Sequence, residues 1–150
     1  MAEDREDLLD HYRKMRQELL SAIDGLSDAL MTEQTLDGWS IKDHLLHIAL
    51  WDDVRASEVV RISAGHASAY RMTGEQDAAF NEMAHTLRLA MSPAQARWEL
   101  QTSRQRLLDA ISSATPRGLA ASLYGEAGLR SRHEEQHAGW IRRWRAEKGI

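Results

Sequence analysis

The chain has no cysteine. That absence removes disulfides, thiolate metal ligands and a cysteine nucleophile in one step. Any metal must be held by nitrogen and oxygen, and any thiol chemistry needs a thiol brought by a cofactor. Proline is scarce, at two in 150 residues. Long apolar runs are missing: the longest, "LLHIALW", falls far short of the roughly 20 residues that span a bilayer. Positive charge is not in excess, since the formal net charge is −4; this argues against a nucleic-acid partner, which a basic surface would attract. The first residues, "MAEDREDLLD", lack the basic-then-apolar order of a secretory signal, so a cytoplasmic location is expected. Period-two alternation over a strand's length is also missing, as are repeats, low-complexity tracts and linkers. A single domain over 1–150 is expected, long enough to bury a core.

What is present is helical periodicity. Leu8, Tyr12, Met15, Leu19, Ile23, Leu26 and Leu30 step by three or four, which predicts a first helix over about 4–31 with Gly25 tolerated inside it. "SIKD" reads as a capping box of Ser40 and Asp43, opening a second helix that runs to about Ala64 and is stopped by Gly65. Residues 65–91 are less regular, but Phe80, Met83 and Leu87 form a stripe that predicts a short extra helix. "SPAQ" opens a third helix, with Ser92 as cap, Pro93 at the first position and Gln95 closing the box, running to about Ser112. Pro116 and three glycines mark the next stretch as connection. A last helix follows, with Ser131 and Glu134 as a candidate capping box, ending near Lys148. The expectation is an all-α four-helix bundle with a long helix 2–helix 3 connection that contains the extra helix.

Seven histidines are present, and some can converge. His133 and His137 are four apart on the last helix, so their Cβ atoms lie about 5–6 Å apart on one face. Trp140 and Trp144 continue that face, which is the stripe expected to meet the core; Glu135, Arg142 and Arg143 lie opposite. On the second helix, either His44 or His47 can supply a third nitrogen, with depths matching if the second and last helices run parallel. Three imidazoles around a divalent ion leave a position open for water or substrate. Neutral ligands leave the ion's charge intact, which acidifies bound water and polarises a substrate oxygen. Imidazole suits zinc, nickel, iron and copper alike. His11, His66 and His85 have no evident partners, and "RRWR" reads as a solvated helix end.

"HEEQH" is also, letter for letter, the H-E-x-x-H zinc motif of metalloproteases. The surroundings do not support it. The H-x-x-G-x-x-H continuation fails at Trp140 and Arg143, Glu147 is the sole downstream carboxylate, and no strand offers an edge to a peptide. By type Glu134 is a general base, but nothing around it supports that role.

"GWSIKDHLLHIALWDD" resembles the "GWSVKDxLAHLxxWE" signature of DinB-like four-helix bundle proteins through Gly38, Trp39, Ser40, Lys42, Asp43, His47 and Trp51. "DAAFNE" and "HEEQHAGWIRRW" resemble the "DAFNE" stretch and "YEHYxEHxxxIRxW" end of that family's colibactin self-protection-like branch. The resemblance implies a three-histidine metal site of His47, His133 and His137, and so chooses His47 over His44, which stands where the family usually has an apolar residue. It also implies a divalent ion, zinc or nickel first, a small-molecule substrate, in some relatives a low-molecular-weight thiol, and a place in stress response. Trp39, Trp51, Asn81 and Trp140 are candidate pocket residues. Water or thiol activated against a small electrophile is the enzymatic expectation; a sequestration protein or an interaction module on the same bundle is the alternative. A homodimer is expected because twofold pairs are the commonest assemblies.

Overall fold

The computed structural model describes residues 2–150. Six α-helices carry the fold: α1 Arg5–Ile23, α2 Asp28–Thr32, α3 Ile41–Ser63, α4 Gly74–Arg88, α5 Pro93–Ser112 and α6 His133–Lys148, with two 3₁₀ turns at Arg117–Leu119 and Ala121–Leu123. Among the described residues there is no strand, only isolated bridges at Ala2–Ala120 and Gln34–Ser40. Among the described residues no helix is long and apolar enough to cross a membrane. The fold is all-α, with α1, α3, α5 and α6 as the bundle and α4 in the α3–α5 connection.

The helix starts follow their caps. Ser40 accepts from the Asp43 N–H while the Asp43 carboxylate accepts from the Ser40 N–H, and Ser92 and Gln95 close the same reciprocal pair ahead of α5. A third box, Thr73 with Gln76, opens α4. The expected continuous first helix is corrected: α1 stops at Ile23. Gly25 takes a left-handed φ of 76°, and the Ser27 hydroxyl accepts from the Leu30 N–H to start α2. A left-handed glycine followed by a fresh N-cap overrides an apolar stripe that continues through both. The expected Ser131–Glu134 box is absent too. Arg132 is the N-cap residue of α6 and makes no side-chain capping bond, since a guanidinium offers no acceptor, while the Glu134 carboxylate is engaged by Arg16 and Arg104.

Contacts set the directions. Asp52 meets Arg104, Asp53 meets Arg106 and Ser63 meets Thr115, so α3 and α5 run parallel. His11 reaches Ser131, Glu18 meets Arg142 and the Ala22 carbonyl meets Arg145, so α1 and α6 also run parallel. His44 meets His137 and His47 meets His133, which makes α3 and α6 antiparallel and corrects the parallel expectation. Parallel neighbours require a long crossover, and 64–92 supplies it between α3 and α5; α6 then returns against α3.

Two apolar clusters fill the ends of the bundle. One gathers Leu19, Ile23, Ile41, Leu45, Leu100 and Ile141, the other Leu8, Tyr12, Val59, Ile62, Leu107 and Ile111. Between them the same helices carry Arg16, Asp52, Arg55, Arg104 and Glu134, a charged layer at mid-height. The expected α4 stripe is corrected as well. Met83 is 62% and Leu87 75% exposed. The inward face instead presents Phe80, Asn81, Ala84, His85 and Arg88, because polar anchors decide the docking: Trp51 Nε1–H donates to Asn81 Oδ1 at 2.8 Å and Arg88 donates to the Leu46 carbonyl at 2.8 Å.

Candidate metal centre

α3 presents His47 and α6 presents His133 and His137 to one point. The Nε2 atom of His133 lies 3.0 Å from that of His47 and 2.9 Å from that of His137. Ligand atoms of the three all lie within 4.8 Å of one another. Three imidazole nitrogens facing inward cannot satisfy each other with lone pairs alone; a cation among them can take all three. Tetrahedral coordination at zinc–nitrogen distances implies nitrogens about 3.3 Å apart, so the cluster fits an ion with a slight opening of the rings. The site forms because α3 and α6 cross antiparallel at this level and because the Ser131 hydroxyl, 3.1 Å from the backbone N–H of His133, anchors the first residue of α6.

Burial depresses the basicity of all three. His47 is pushed down to about 3 by desolvation and by the neighbouring His133 and His44. His133 is pushed down to about 4 by desolvation and by the Arg55 guanidinium. His137, the most enclosed, is lowered further by desolvation and the other histidines. At neutral pH the rings are therefore uncharged, the state a metal ligand needs.

A cavity of about 200 Å³ opens from the His47–His133 side, walled by Trp51, Asn81, Asp77 and Glu126. Burial, and then the Glu126 charge, raises Asp77 above the usual carboxylate range. The far wall is closed by a tight backbone approach: the Glu126 N–H donates to the Tyr70 carbonyl at 2.8 Å, and a Cβ on Gly125 would sit 2.1 Å from that oxygen. Trp39 stands edge-on to His47, with ring centroids 5.2 Å apart, and stacks on His85 at 4.6 Å. Thus Trp51 and Asn81 line the cavity and Trp39 lines a narrow crevice beside His47. Trp140 does neither. Its ring packs edge-on against His137 at 4.9 Å and stays 45% exposed, so it is an outer cover, not part of the core stripe.

Glu134 points away from the cluster. Its carboxylate accepts from Arg16 Nε and from Arg104 Nη2, each at 2.5 Å. Asp52 joins the same layer, accepting from Arg16, Arg104 and Arg55. Arg104 is held protonated more firmly than usual, since its desolvation is outweighed by Asp52 and Glu134. The glutamate of "HEEQH" is thus a structural counter-ion joining α1, α5 and α6. Three histidines outside the expected ligand set find partners. His44, by position an alternative third ligand and a histidine where an apolar residue is usual, is buried against His137, with Nδ1 atoms 2.6 Å apart. His85 has a partner after all, in the face of Trp39. His11 Nε2–H donates to the Ser131 carbonyl, 2.7 Å away, a structural contact.

Comparison with known proteins agrees with this architecture. The sequence profile of the DinB superfamily matches residues 11–141. No curated protein matches the chain. A crystal structure of an uncharacterised protein from Escherichia coli UTI89 is similar in fold, with a TM-score of 0.77 at 15% identity over 97% of this chain and 95% of that one.

Proposed function

The chain belongs to the DinB superfamily, and from that premise we propose that it is a metal-dependent enzyme acting on a small electrophile, related to the colibactin self-protection-like branch. His47, His133 and His137 are the metal ligands in this reading, and zinc or nickel is the ion. The observation that carries it is the convergence of three uncharged histidines, two of which, His47 and His133, also line a cavity open to a small molecule. When bound, the ion supplies a Lewis acid that activates water or a low-molecular-weight thiol.

The chain's own residues bind and orient. Trp51 and Asn81 hold the cavity wall through their mutual hydrogen bond, and Trp39 shields His47 from solvent. A thiol, if used, arrives as a co-substrate, because the chain has none. Peptide hydrolysis is not supported, since Glu134 is committed to Arg16 and Arg104. The cavity of about 200 Å³ is small for a drug-sized ligand, which favours a compact substrate.

The test is metal analysis of untagged protein, followed by single His47→Ala, His133→Ala and His137→Ala variants. One equivalent of zinc or nickel, lost in each variant, is expected. Absence of any ion, with no thermal shift on adding metal, overturns the reading. A sequestration protein on the same site is told apart by turnover: product beyond one equivalent from a panel of electrophiles, with and without thiol, requires catalysis.

A further inference from the structure

His137 uses both of its ring nitrogens. Nε2 faces the cluster, 2.9 Å from His133 Nε2, while Nδ1 faces outward, 2.6 Å from His44 Nδ1. The His44 ring is 1% exposed, and its own Nε2 lies 3.2 Å from the Asp37 carboxylate. Asp37 sits in the turn before α3 and is 47% exposed at its side chain. A carboxylate, a buried histidine and a candidate ligand therefore stand in one line from the surface to the cluster.

The hydrogen count along this line has one consistent solution when Nε2 of His137 offers its lone pair inward. Nδ1 of His137 must then carry the hydrogen and donate it to Nδ1 of His44. That atom accepts, so Nε2 of His44 carries the remaining hydrogen and donates it to Asp37. No nitrogen is left with two donors or two acceptors opposed. The carboxylate end is itself built. The Trp39 N–H donates to Asp37 Oδ1 at 3.0 Å, and the Thr35 hydroxyl lies 3.0 Å from the same oxygen. The Thr35 N–H closes the turn by donating to the Trp39 carbonyl at 2.8 Å. Ring packing supports the same arrangement: Trp39 lies edge-on to His44 at 5.8 Å and Trp140 covers it from the α6 side at 6.1 Å.

We propose that Asp37 and His44 are positioning residues that lock His137 in its Nδ1–H tautomer and so strengthen it as a metal ligand. The inference rests on the three-histidine reading above. Ligating histidines are commonly oriented by a partner on the second nitrogen, often a carboxylate, and such partners weigh 10–100-fold in metal affinity. Here the partner acts through an intervening histidine. A buried apolar residue at position 44 would leave the His137 Nδ1–H without an acceptor in a closed environment, which is costly.

The experiment measures zinc and nickel dissociation constants of untagged protein by competition with a chromophoric chelator. The proteins are wild type, His44→Phe, His44→Gln and Asp37→Asn. Metal-free thermal unfolding of each is recorded alongside. His44→Phe should weaken binding by roughly 10–100-fold, Asp37→Asn by less in the same direction, and His44→Gln should recover part of the loss by restoring an acceptor. In the zinc-loaded wild type, long-range ¹H–¹⁵N spectra should show His137 protonated at Nδ1. A merely structural role for His44 would lower the unfolding temperature without moving that signature. Affinities of His44→Phe within twofold of wild type, or a His137 protonated at Nε2, overturn the proposal. If His44→Phe does not fold, the surface variant Asp37→Asn decides alone, with unchanged affinity as the overturning result. Failure of the wild type itself to bind either ion sinks the three-histidine reading instead, and with it this one.

Discussion

Glu134 and Arg104 form a buried ion pair, with Oε2 2.5 Å from Nη2 and both side chains about 5% exposed. The pair turns the middle of the "HEEQH" string into a structural tie between α5 and α6, while the flanking histidines turn the other way. One helical string thus serves two faces.

Glu134→Ala should destabilise the protein by about 3–5 kcal/mol, because it leaves Arg16 and Arg104 buried with one counter-ion fewer. Urea unfolding of the metal-free protein measures this. A loss under 1 kcal/mol would mean that water or relaxation replaces the carboxylate at little cost.

The metal-free protein should lose stability in mild acid. His47 and His133 titrate at about 3 and about 4 in the folded chain, against about 6.5 when unfolded. Between those values the unfolded chain binds more protons, so stability falls as pH drops below about 6.5, by up to about 1.4 kcal/mol per pH unit for each such group. The fall from these groups ends below the folded values and vanishes well above pH 7. Unfolding midpoints across pH 4–8 check the slope; His133→Gln should flatten it.

Zinc or nickel at about 100 times its dissociation constant should stabilise the folded chain by about 2.7 kcal/mol, through mass action alone. Calorimetry at several metal concentrations would show the melting temperature rising with each increment. A melting temperature indifferent to metal would contradict a site that forms only on folding.

Gly125→Ala should be harmful even though alanine is small. Its Cβ would meet the Tyr70 carbonyl at 2.1 Å, and a backbone oxygen cannot rotate away. A cost of about 1–3 kcal/mol is expected, with faster hydrogen exchange at the Glu126 amide as the local sign.

Trp51→Phe keeps an aromatic ring but removes the donor to Asn81 Oδ1 together with part of a buried indole. About 1 kcal/mol is expected from the lost hydrogen bond, with a further cost for the space the indole leaves. Hydrogen exchange should loosen selectively in α4, which has no fully buried residue and depends on such anchors.

Much of this was legible in one dimension. Caps at Ser40 and Ser92 act within a turn of the backbone, so sequence alone located the starts of α3 and α5. The four-residue step from His133 to His137 puts both on one face of any helix. The stop at Gly25 was local as well, but an uninterrupted apolar stripe spoke louder than one glycine. The presence of α4 was legible too, but its inward face was not, because its docking relies on Asn81, His85 and Arg88, and a hydrophobic period does not report polar anchors.

Composition and periodicity determined the helices, the lack of any thiol in the chain itself and the pairing of two histidines, since these depend on composition or on residues near each other in the chain. Only tertiary structure decided the rest. Whether α3 meets α6 parallel or antiparallel depends on the crossover and on packing between helices far apart in sequence. That single choice brings His47 to His133 and His44 to His137 together. It also sets which way Glu134 faces, because a carboxylate in a low-dielectric interior goes to the nearest guanidinium, and Arg16 and Arg104 arrive from helices that no local pattern connects.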